Sequence, residues 1–120
     1  MAHTTTHTMS PGMQQCIDEC SRCHATCLET VHHCLHLGGK HADAHHISLL
    51  QDCAEICQAS ANFMLRGSDH SGHVCAVCAK VCRAGEQSCR AMGDDEMMRK
   101  CAEACKRCAD SCEKMSAMAH

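Results

Sequence analysis

The chain has 120 residues, a single domain's length, with fifteen cysteines, no tryptophan or tyrosine, and a formal charge of −3. Leu, Ile, Val and Phe together number only fourteen, a fraction at which a chain stays disordered unless something else fills its core. Free cysteine packs as a small hydrophobe and is the available filling. The acidic balance and the lack of aromatic stacking platforms argue against nucleic-acid binding, and no apolar run reaches membrane-spanning length.

Taken in chain order, residues 1–12 read as a flexible tail. Met1 to Ser10 is Thr- and His-rich, without the basic and apolar sections of an export signal. The chain is therefore expected to be cytoplasmic, in a reducing compartment where clustered cysteines bind metal or do redox chemistry more often than they pair. One domain is expected over 13–118. Ser10-Pro11 reads as N-cap and first helical residue, opening a helix over about 12–37 that Gly38-Gly39 ends. A second is expected over about 42–66, stopped by Gly67, a third over about 70–92, ending at Gly93, and a fourth over about 95–117, capped by Asp94. Short connections make successive helices antiparallel neighbours. The fold class is all-α, an up-down-up-down four-helix bundle with a cysteine-lined core.

The cysteines set the period. They fall at Cys16, Cys20, Cys23, Cys27 and Cys34, then at Cys53 and Cys57, with Met64 seven further on. The third segment holds Cys75, Cys78, Cys82 and Cys89, and the fourth Cys101, Cys105, Cys108 and Cys112. Steps of three, four and seven keep every thiol on one face of its helix, the inward seam where leucine normally sits. The intervening charges, such as Asp18, Lys80, Arg83 and Lys106, lie off this stripe and read as a solvated face.

Such spacing suits a metal better than disulfides. Residues four apart on a helix have Cβ atoms roughly 5–6 Å apart, whereas a disulfide wants roughly 3.5–4.5 Å. Two metal–sulfur bonds of roughly 2.3 Å separate their sulfurs by about 4.6 Å when linear, a geometry Cu(I) tolerates and structural zinc does not. Soft thiolates also select Cu(I). Charge points the same way: a zinc held by four thiolates carries a net −2, costly to repeat in a dry core, while one Cu(I) per thiolate leaves the core near neutral. The implied capacity is on the order of one copper per cysteine, about fifteen, with protons released on filling.

Extrapolating the stripes reaches two further ligands. His46 lies seven before Cys53 and Met98 three before Cys101, so both face inward above the thiols and read as ligands at a mouth. His32, His33 and His36 lie mostly off the stripe and read as surface residues. At the opposite end Met13, Met64 and Met115 continue the stripes as an apolar plug.

The motifs Cys16-x3-Cys20-x2-Cys23-x3-Cys27, Cys53-x3-Cys57, Cys75-x2-Cys78-x3-Cys82 and Cys101-x3-Cys105-x2-Cys108-x3-Cys112 resemble those of the bacterial copper storage proteins, and the missing export signal resembles their cytosolic branch. The resemblance runs from Met13 to Met118. It implies clusters of Cu(I) on inward cysteines, His46 and Met98 near the mouth, and a homotetramer. The chain departs from the family before the fourth helix, where Asp94, Asp95, Glu96, Met97 and Met98 replace a His-rich linker. The expected function is storage of many Cu(I) ions, protecting against copper toxicity, and not catalysis. The competing readings are a copper chaperone, which needs one or two exposed sites, and general sequestration of soft metals such as zinc or cadmium.

Overall fold

The computed structural model describes residues 10–118. It has four helices and, among the described residues, no strand: α1 (Pro11–Leu37), α2 (Ala44–Leu65), α3 (Ser71–Arg90) and α4 (Glu96–Met118). Helix α1 packs against α2 and α4, and α3 packs against the same two. The pairs α1/α3 and α2/α4 are therefore the diagonals of an antiparallel up-down-up-down bundle.

Local chemistry sets the helix ends, and it moves several of the expected boundaries. The Ser10 hydroxyl accepts from the Met13 amide at 3.1 Å, so Pro11 and Gly12 belong to the first turn of α1 and not to a tail. The rest of the expected tail lies outside the described residues. Gly38, at φ 71°, ends α1 by donating its amide to the Cys34 carbonyl, a left-handed conformation that favours glycine. Gly39–Ala42 then forms a 3-10 turn, which delays α2 by two residues relative to the expected start. Asp43 caps α2, its carboxylate accepting from the amides of His45 and His46. Asp95, not Asp94, caps α4: its Oδ1 accepts from the Met98 amide at 3.1 Å. That bond is the N-cap to N3 spacing.

The inward face is the cysteine stripe. All fifteen cysteines have zero exposure, and each seven-residue step hides one more inward position. Thr30 follows Cys27 by three, Ser60 follows Cys57 by three, and Gly85 follows Cys82 by three; all three are buried. Thr30 satisfies its hydroxyl on the Thr26 carbonyl at 2.7 Å, whereas the Ser60 hydroxyl is buried without a partner. Buried alanines, among them Ala54, Ala61, Ala102 and Ala109, flank the stripe and let the helices approach closely. Outside, one residue of the expected solvated face does more: Arg83 clasps α3 to α4 through Asp110 at 2.6 Å and Glu113 at 2.9 Å.

Candidate metal centre

The four stripes meet on the bundle axis and bring the sulfurs together. A path of sulfur contacts runs from Cys16 to Cys112 (3.7 Å), Cys108 (4.0 Å), Cys57 (3.6 Å), Cys82 (3.6 Å) and Cys53 (3.4 Å). It continues to Cys23 (3.7 Å), Cys27 (3.9 Å) and Cys101 (3.9 Å). All fifteen cysteines are free thiols. A trigonal ion with roughly 2.3 Å bonds sets its sulfurs about 4.0 Å apart, so the array already stands at the spacing three thiolates need around one ion.

Within the array, five convergent groups form: Cys20/Cys78/Cys108/Cys112, Cys23/Cys53/Cys57/Cys82, Cys23/Cys27/Cys53/Cys105, Cys57/Cys78/Cys82/Cys108 and Cys16/Cys75/Cys112. They share members, so an ion in one group is bridged to an ion in the next. Burial and mutual hydrogen bonding hold many thiols in the protonated form: Cys57 and Cys112 are both pushed up, each chiefly by its hydrogen bond to Cys108 with burial adding to it. Their partner Cys108 is moved the other way, held down chiefly by its hydrogen bond to Cys112, so protons are shared along the sulfur contacts.

Cys34, Cys89 and Cys101 stand outside these groups, at the end where α1 and α3 finish and α2 and α4 begin. Here the stripes also carry Leu50, fully buried, and Thr30, which dilute the sulfur. The Cys89 thiol is pushed up, chiefly by a hydrogen bond to Cys101. Above them lies the end where the sequence places His46 and Met98. His46 and Met98 are each only 1 % exposed, and His46 Nε2 stands 3.5 Å from Cys34 Sγ. Burial lowers the His46 pKa below 6.5, which keeps the ring neutral and fit to bind a metal, and raises Cys34 to about 11. Sequence reasoning missed Ser88, whose hydroxyl pairs with His46 Nδ1 at 2.6 Å and so fixes the orientation of the ring. At the far end Met64 is buried with its sulfur 3.9 Å from Cys75 Sγ, so it extends the sulfur array, and Met115 is buried too.

Asp95 braces this end of the bundle. Its Oδ2 lies 3.2 Å from His33 Nε2 and 4.0 Å from His41 Nε2. Its pKa is held below 3.8, first by the Met98 amide and then by His33. Because the folded value is depressed, the unfolded chain binds the extra proton, and the contribution present above pH 3.8 is lost as pH falls through the folded value. Asp95→Ala should lower the stability of the metal-free protein by about 1 kcal/mol at neutral pH. In urea titrations the gap between wild type and variant should close in strong acid; a gap that stays constant with pH would refute the assignment.

A bundle whose seam is thiol in place of leucine defines a class, the all-α proteins that hold metal along their axis. The comparisons make this particular. The family model described as copper storage protein matches residues 9–117, and the chain belongs to that family. The chain is similar to the Nmul_A1745 protein of Nitrosospira multiformis, with 48 % identity, TM-score 0.84, and coverage of 89 % of this chain and 96 % of that one. It is similar to the Cu(I)-bound copper storage protein BsCsp3, with 30 % identity, TM-score 0.81, and coverage of 88 % and 98 %. It is also similar to a cytosolic copper storage protein from Streptomyces lividans carrying five coppers, with 32 % identity, TM-score 0.76, and coverage of 88 % and 92 %.

Proposed function

We propose that this protein stores Cu(I) along its axis, using all fifteen cysteines as ligands with His46 and Met98 at the mouth. The observation that carries the reading is the unbroken sulfur path, in which no step exceeds 4.0 Å. Bridging thiolates suit an ion of single charge. Zinc is served less well: the four-thiol groups overlap so that at most two are free of shared members, leaving seven of the fifteen thiols unused and each centre at −2. The Cu(I)-bound and copper-loaded relatives support copper as the cargo.

Anaerobic titration of the reduced protein with Cu(I) against a competing chelator tests this. Retention of about one copper per cysteine, with the thiols blocked after desalting, is expected. Retention of one or two ions would point to a chaperone instead. His46→Ala and Met98→Leu should slow copper uptake and removal by stopped flow while leaving total capacity almost unchanged. Full-speed transfer with sharply reduced capacity would remove these residues from the mouth. A cytoplasmic location is supported by the cytosolic relative from Streptomyces lividans; no helix among the described residues is long and apolar enough to cross a membrane. A homotetramer is proposed on the family resemblance alone, and light scattering of the copper-loaded protein tests it.

A further inference from the structure

We propose that His32 and His36 form a second metal site on the outside of the bundle, which takes one first-row divalent cation separately from the thiol core. The two residues lie four apart near the end of α1, both exposed, with ring centroids 4.9 Å apart and planes tilted by 49°. Paired imidazoles at this spacing on one helix face are a chelating arrangement. Two nitrogens bound at roughly 2.0–2.1 Å stand about 3–4 Å apart, a separation these rings reach by small side-chain rotations with no change of backbone.

The surroundings supply further donors. A surface hollow is lined by Leu28, Glu29, His32, His33, His36 and Met97. Glu29 precedes His32 by three residues, so its carboxylate lies on the same face as both rings. His33 is committed elsewhere, turned to the Asp95 carboxylate. Drawn together by side-chain rotation, two imidazoles and a carboxylate with open positions for water would make a set intermediate to hard in character, suited to Zn(II), Ni(II) or Cu(II). It is the opposite preference from the core, whose thiolates take the soft monovalent ion. One chain would therefore sort two kinds of metal ion by donor chemistry, one along the axis and one on the wall of α1.

Zn(II) is the probe, added to the protein after anaerobic loading with Cu(I) and a count of bound copper. The loaded core has no free thiol to compete, and the copper count reports failure of the storage reading before zinc is present. One additional Zn(II) per chain is expected, with the ring nitrogen signals of His32 and His36 shifting together in NMR spectra. Those ring signals read the outer site whether or not the core fills. His32→Gln and His36→Gln should each weaken zinc binding at least about tenfold, and the double variant should abolish it. Both positions are exposed, and circular dichroism checks that the variants stay helical. No retained zinc would overturn the site. So would equal retention by the double variant, or shifts confined to other histidines.

Discussion

Replacing Cys57 and Cys108 together with alanine should remove more copper than two thiols' share. Cys108 belongs to the groups Cys20/Cys78/Cys108/Cys112 and Cys57/Cys78/Cys82/Cys108, and Cys57 to the second of these and to Cys23/Cys53/Cys57/Cys82. Their loss breaks three of the five convergent groups and cuts the sulfur path at its 3.6 Å step. Because a bridging thiolate holds two ions, copper content should fall by more than the two ions that one copper per thiolate assigns, about three or four. Replacing Cys34 and Cys89, which lie outside every group, should cost no more than about two. Each alanine leaves a void near the size of one heavy atom, so about 1 kcal/mol per site is expected for the metal-free protein, and circular dichroism should show the helices intact. Metal analysis after desalting separates the cases. Equal copper loss from the two pairs would mean that the thiols act singly and that the groups have no chemical meaning.

The contrast between these pairs was only half legible in the sequence. Spacing alone places every thiol on an inward face, because steps of three and four follow the helix turn whatever the neighbouring helix does. The same extrapolation reaches His46 and Met98, both buried. What spacing does not carry is which thiols meet across helices, since that depends on the relative height of the four stripes. The division between the convergent groups and Cys34, Cys89 and Cys101 therefore emerges only from packing. Ser88 illustrates the same limit: it pairs with His46 across 42 residues of sequence, with no periodic signal to announce it. Asp94 and Asp95 were equivalent as caps by composition, and the position of the Met98 amide decides between them. The seven-residue steps carry a further signal. A helix must present some residue between two inward sulfur-bearing side chains seven apart, and those residues are Thr30, Ser60 and Gly85.

Gly85 leads to the second large effect. It sits in the middle of α3, where glycine costs about 1 kcal/mol relative to alanine, and it is buried on the thiol stripe. A Cβ there would lie 3.3 Å from Cys105 Sγ and 3.8 Å from Cys53 Sγ. Both are members of the group with Cys23 and Cys27. The missing side chain thus preserves space beside sulfurs that must rotate to grip ions. In Gly85→Ala the helical gain and the crowding of Cys105 oppose each other, overpacking costing about 1–3 kcal/mol, so the metal-free protein should melt within a few degrees of wild type. Filling is different, because the ions need the volume that the methyl takes. Copper content should fall by about two, and the rise in melting temperature on loading should shrink accordingly, since each bound ion stabilises the folded state by mass action. A Gly85→Ser variant, bulkier by one more atom, should lose at least as much copper. If Gly85→Ala instead melts higher and still fills completely, the missing side chain preserves no volume that the ions or the packing need.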